Sequence, residues 1–162
     1  MIRSMLVAIL LLATGCSSPG TLRRHESTAL APLLASRPTL RRFLVDVRRE
    51  IEEHDWHALL ARAERRHYRA QVDRLGMREA QYVAELLGLN MADNNLRRAG
   101  ERGPIQTAWL NRIKRVHYRS HGSEGPFIVV RGQVWLADGR RLTLTLMLRH
   151  DGRRWALSGA VG

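Results

Sequence analysis

His54 and His57 stand three residues apart in the stretch Ile51-Glu52-Glu53-His54-Asp55-Trp56-His57, with Glu50 one turn upstream. On a helix such a spacing puts two imidazoles on one side, where they could share a metal ion with Glu50 or Glu53. The spacing supplies no further convergent ligand, so the expectation is a helix junction with solvent-exposed histidines and no metal. His117 and His121 fall four residues apart in a segment of strand character, which separates them by roughly 13 Å and prevents joint chelation. The chain contains no Ser-His-Asp set, nucleophile elbow, phosphate-binding loop or dinucleotide fingerprint. No catalytic residue and no cofactor are therefore expected.

The one cysteine, Cys16, cannot form an internal disulfide, and its surroundings give it a different meaning. Arg3 is followed by the apolar run Met5 to Ala13, and then by the small residues Thr14 and Gly15 before Cys16. The run is far shorter than the roughly 20 residues that cross a bilayer, and its layout is that of an export signal. Ala13-Thr14-Gly15-Cys16 looks like a bacterial lipoprotein lipobox, and Ser17-Ser18-Pro19-Gly20 reads as the start of a tether. The resemblance implies cleavage between Gly15 and Cys16 and lipidation of Cys16. It also implies retention in the outer membrane facing the periplasm, because Ser17 rather than Asp follows the cysteine. Two or three acyl chains hold a protein stably, where one gives only marginal binding. The expected organisation is a signal peptide over 1–15, a lipidated cysteine and tether over 16–38, and one domain over 39–162.

Positive charge dominates the chain, with 27 Lys and Arg against 15 Asp and Glu and a net charge of +12; Lys114 is the only lysine. The arginine doublets are scattered along the sequence and predict a generally basic surface rather than a defined groove. An exported basic domain suits an anionic envelope component or a partner protein. Nucleic acid is not an expected partner, since no nucleic-acid-binding motif is present.

The hydrophobic period predicts which elements carry these residues. From Thr39, Phe43, Leu44, Val47 and Ile51 form one helical stripe, with Glu50, Glu52 and Glu53 assigned to the other faces. Asp55 can cap a second helix striped by Trp56, Leu59, Leu60, Ala63, His67 and Ala70. A third runs from Arg78 through Tyr82, Val83, Leu86 and Leu87 to a stop at Gly88. Asn90 to Pro104 reads as a loop, with a short helical turn over 105–110. The period then changes to two. Val116 and Tyr118 precede a loop at Gly122-Ser123-Glu124-Gly125, and Ile128, Val130, Val134 and Leu136 alternate along the next strand. Asp138-Gly139 marks a hairpin, Leu142, Leu144, Leu146 and Leu148 alternate along the third strand, and Asp151-Gly152 leads to Trp155 and Leu157. Four antiparallel strands with one apolar face need a cover, and the helices supply it, so the expected class is α+β. Trp56, Trp109, Trp135 and Trp155 are expected as core anchors.

Helices followed by a hairpin-linked sheet that closes on Asp151-Gly152-Arg153-Arg154-Trp155-Ala156-Leu157 resemble the NTF2-like (SnoaL-like) superfamily. The stretch Ile51 to Leu60, with Asp55 ahead of Ala58-Leu59-Leu60, is similar to that superfamily's helix junction. The resemblance implies a curved, cone-shaped sheet. In the superfamily's enzymes an Asp, His or Tyr inside the cone acts as acid or base, which here points to Asp46, His67, Tyr68, Tyr82, Trp109 and Tyr118 as pocket residues. The expected function is a lipid-anchored, non-enzymatic binding or interaction domain of the cell envelope. The alternative is a small-molecule-binding or isomerase- or dehydratase-like enzyme of the same fold, which rests on fold analogy alone.

Overall fold

The computed structural model describes residues 28–74, 76, 78–89 and 107–159. The lipobox, Asn90 to Pro104 and the last three residues lie outside the described residues. Among the described residues, five α-helices precede four strands that are consecutive in the chain, so the class is α+β.

Helix α1 (Leu30–Ser36) leads at once into α2 (Pro38–Glu53), where Pro38 occupies the first turn and needs no amide partner. Leu40, Phe43, Leu44, Val47 and Ile51 of α2 are buried. Each such side chain contributes about 1.5–3 kcal/mol, which outweighs the few tenths by which helix propensities differ. His54 ends α2 in the left-handed conformation at φ 60°. Asp55 then caps α3 (Trp56–Ala61), its carboxylate accepting the Ala58 amide at 3.0 Å.

The expected second helix does not run on to Ala70. It breaks at Arg62-Ala63-Glu64, is resumed by α4 (Arg65–Tyr68), and continues as a π-helical segment over Arg69–Arg74. The cause is tertiary. The Leu157 amide donates to the Arg62 carbonyl at 2.9 Å, and the Glu64 amide donates to the Leu157 carbonyl at 2.7 Å. This segment thereby covers the free edge of the last strand, which would otherwise offer unpaired backbone groups.

Helix α5 (Glu79–Leu86) buries Tyr82, Val83 and Leu86 and ends at Gly88, as the sequence predicts. Gly88 has φ 62°, and a Cβ there would stand 2.7 Å from the Thr145 carbonyl oxygen, so only glycine fits this turn against the sheet. The Thr145 amide donates to the Leu87 carbonyl at 3.0 Å, continuing the edge cover where the last strand stops.

The sheet has five strands rather than four, in the order β1 (Thr28–Ala29), β2 (Ile113–Glu124), β3 (Phe127–Leu136), β4 (Arg141–His150) and β5 (Trp155–Ser158), all antiparallel. The added strand pairs Thr28 with His121 and Ala29 with Ser120. The fold therefore takes in residues 28–36 of the segment read as tether, and Leu30 is buried in the core. The expected loop at 122–125 is also corrected. β2 extends to Glu124, and Gly125-Pro126 makes the turn.

Leu142, Leu144, Leu146 and Leu148 face the helices opposite Val134, Gly132, Val130 and Ile128. A short 3₁₀ turn, Thr107–Arg112, delivers buried Trp109 and Leu110 to the same core. Trp135 is not a core anchor. It lies on the opposite face beneath Arg141, whose guanidinium carbon is 4.0 Å from the ring centroid.

Candidate functional site

An open groove of about 800 Å³ runs along α2 from Pro38 to Glu50, between that helix, α3 and the β4–β5 hairpin. Phe43 and Trp155 give it apolar walls, while Arg42, Arg153 and Arg154 stand along it. The Trp155 indole N–H donates to Thr39 Oγ1 at 3.3 Å, and His150 packs edge-on against Trp155 at 4.8 Å between ring centroids. These contacts tie the hairpin to the start of α2 and hold the groove's two sides in register.

Two carboxylates also line the groove, and both are engaged. Glu50 is buried at 4 % exposure and meets Arg62 in a fork, with Nη2 to Oε1 at 2.6 Å and Nε to Oε2 at 2.7 Å. Hydrogen bonding to Glu50 raises the Arg62 pKa further above its ordinary value, so the guanidinium stays charged. Its central carbon also lies 5.5 Å from the Phe43 ring centroid, within cation–π range. Asp46 stands 3.5 Å from Arg62 and 3.7 Å from Arg49.

The cations along the rim are differently placed. Arg42 and Arg153 are exposed and form no ion pair among the described residues. Arg154 reaches Asp151 only at 3.8 Å. Asp151 itself accepts the amides of Arg153 and Arg154 at 2.9 Å each. These bonds lower its pKa and fix the turn that presents both arginines.

A second cluster joins three of the sequence-derived candidates. His67 donates from Nε2 to Glu85 Oε1 at 3.2 Å and packs 5.7 Å from Tyr82, while Tyr68 meets Tyr82 edge-on at 5.2 Å. Tyr82 is fully buried, and its hydroxyl has no hydrogen-bond partner among the described residues. Burial, reinforced by the Glu85 charge, pushes its pKa up, so it remains a neutral phenol. Gly159 closes the cluster, since a Cβ there would overlap the His67 ring. The cluster is packed by rings and backbone. Tyr68 also borders a smaller hollow of about 550 Å³ beside Glu79.

The other candidates do not join it. Asp46 belongs to the groove. Trp109 is buried in the core, and Tyr118 donates its hydroxyl to the Leu44 carbonyl at 3.2 Å, where burial raises its pKa. Cys16 and Gly15 lie outside the described residues. His54 donates to the Ile113 carbonyl at 2.7 Å and His57 is exposed, and no metal-binding group occurs among the described residues.

The pattern reading misses Glu85 altogether and offers Glu50 only as a metal ligand, whereas both are buried acids paired with a cation or a histidine. Both carried a signal. Glu50 falls seven residues after Phe43 and three after Val47, and Glu85 falls three after Tyr82, so each acid sits on a buried stripe. A carboxylate at such a position needs a partner, and each has one.

The fold and the groove define an α+β domain with leucines packed between helices and sheet and a basic cleft at one end. Comparison with known protein families, curated proteins and solved structures gives no match to this chain.

Proposed function

We propose that this protein is a bacterial lipoprotein whose folded part is a non-enzymatic binding domain, held at the periplasmic face of the outer membrane through acylated Cys16. The observation that carries the binding role is the groove of about 800 Å³, in which both acids are paired while Arg42 and Arg153 are unpaired among the described residues. Such a surface attracts an anionic envelope component or an acidic partner. Cys16 and Thr28 are twelve residues apart, which limits their separation to roughly 40 Å. An anchor at Cys16 thus keeps β1 within that distance of the membrane.

The finer NTF2-like reading is supported by two register shifts in β2, between Ile113 and Arg115 and between Tyr118 and Ser120, because such irregularities bend a sheet. Gly132 lies opposite Tyr118, where a Cβ would overlap the His117 carbonyl. Leu40, Leu44, Leu144, Leu146 and Tyr82 lie fully buried between helices and sheet, which favours action at the surface over catalysis in a cone. A small-molecule or isomerase-like activity has one observation in its favour, the meeting of His67, Tyr68, Tyr82 and Glu85.

Palmitate labelling and membrane fractionation test the anchored reading. The wild-type chain is expected to take up label and sediment with outer membranes, and Cys16→Ala is expected to lose both. Label retained by Cys16→Ala would refute it.

A further inference from the structure

We propose that the groove between α2, α3 and the β4–β5 hairpin binds a phosphate group carried on an apolar body, with Arg42 and Arg153 on the phosphate and Phe43 and Trp155 on the apolar part. This deepens the binding role given above and rests on it. Four features of different kinds converge on that ligand class.

The first is charge. The groove is lined by four arginines, Arg42, Arg62, Arg153 and Arg154, and two acids, Asp46 and Glu50. Arg62 consumes Glu50 through the fork at 2.6 and 2.7 Å, and Asp46 is shared between Arg62 and Arg49. The cations left over are those at the mouth, and the pairing of both acids reduces the repulsion that they would offer to an anion.

The second is donor geometry. Guanidinium groups offer planar forks that match phosphate oxygens in pairs. Arg42 stands on α2, and Arg153 on a turn held by Asp151 through backbone bonds at 2.9 Å. The two therefore line one groove, Arg42 from its helix side and Arg153 from its hairpin side.

The third is the start of α2. Pro38 and Thr39 line the groove, the first turn contains no acid, and no side chain caps it. A sixteen-residue helix with its amino end uncapped adds partial positive charge where the arginines already lie.

The fourth is the apolar wall. Phe43, Ala58, Ala61 and Trp155 also face the groove, which phosphate alone would not require.

The shared chemistry is a phosphate ester of net negative charge with a hydrophobic substituent. It could belong to a lipid headgroup or to a free amphiphilic phosphate. Calorimetric titration of the full chain in mild non-ionic detergent with short-chain dihexanoyl phosphatidate and inorganic phosphate, with dihexanoyl glycerol as competitor, tests the proposal. Phosphatidate is expected to bind at least tenfold more tightly than inorganic phosphate, and Arg42→Ala/Arg153→Ala is expected to weaken it at least tenfold. Raising the salt concentration should weaken it further. Arg119→Ala, outside the groove, should leave the affinity unchanged.

Dihexanoyl glycerol competing equally well would show that the phosphate is not read and overturn the proposal. So would phosphatidate affinity that survives the double substitution. In full-length vesicles, binding to phosphatidate-containing bilayers assigns the headgroup source. Binding of the monomeric amphiphile alone assigns the free source. Phosphatidate failure with intact palmitate labelling of Cys16 would overturn this inference and leave the anchored reading standing, whereas loss of labelling would remove the anchor and not the groove.

Discussion

The Arg62 guanidinium is forked onto the Glu50 carboxylate, with contacts of 2.6, 2.7 and 2.9 Å, at the point where α3 ends and the chain turns to cover β5. One ion pair thereby joins the long helix α2, the segment that protects the sheet edge, and the inner wall of the groove. Arg62 is partly exposed, with 27 % of its side chain accessible, while Glu50 has 6 %.

Glu50→Ala should lower stability by about 1.5–3 kcal/mol, the range for hydrogen bonds to charged groups. The effect stays below the about 3–5 kcal/mol of a fully buried pair because water reaches Arg62 when its partner is removed. Urea denaturation of both chains measures the difference. A loss under about 0.5 kcal/mol would show that the pair is not holding the edge cover in place.

Tyr82→Phe should leave stability unchanged or raise it by up to about 1 kcal/mol. The hydroxyl is buried without a hydrogen-bond partner among the described residues, so its removal relieves a desolvation cost and keeps the ring contacts with His67 and Tyr68. Thermal unfolding of the variant gives the sign. A marked loss would mean that the hydroxyl has a hydrogen-bonding role in the His67–Glu85 cluster.

The β3–β4 turn should show an acid-dependent contribution. Asp138 accepts the Arg140 amide at 3.1 Å and the guanidinium groups of Arg112 and Arg140 at 2.7 and 2.8 Å, which together hold its pKa below the usual carboxylate value. A carboxylate whose folded pKa is depressed stabilises the fold fully above its unfolded pKa near about 3.9, and that contribution is lost as pH falls through the folded value. The melting-temperature difference between wild type and Asp138→Asn should therefore be largest near pH 6 and shrink below about pH 3. A difference independent of pH would remove the charge from the explanation.

The long elements were legible because their periods are set by burial along one continuous face. Leu142 to Leu148 alternate without interruption, and Phe43 to Ile51 keep a helical stripe, so local pattern and tertiary contact agree. β1 was not legible, since two residues have no period. The break at Arg62 to Glu64 was not legible either, because it depends on Leu157, more than ninety residues away. Charge alone assigns Glu50 to the polar side of α2, although its position falls on the buried stripe. The groove depends on the same kind of distance. Thr39 and Trp155 are 116 positions apart, yet one hydrogen bond joins its two sides. Scattered arginine doublets predict a basic surface, and only the hairpin's return to α2 gathers Arg42, Arg153 and Arg154 around one groove.

The most direct test of the whole account is peptide-resolved hydrogen–deuterium exchange on the lipidated chain in vesicles, comparing anionic with purely zwitterionic bilayers. The expected result is added protection in anionic vesicles over the start of α2, 38–46, and the β4–β5 hairpin, 149–155, with β3 unchanged. Added protection confined to the outer sheet face around Trp135 and Arg141, or none anywhere, would contradict it.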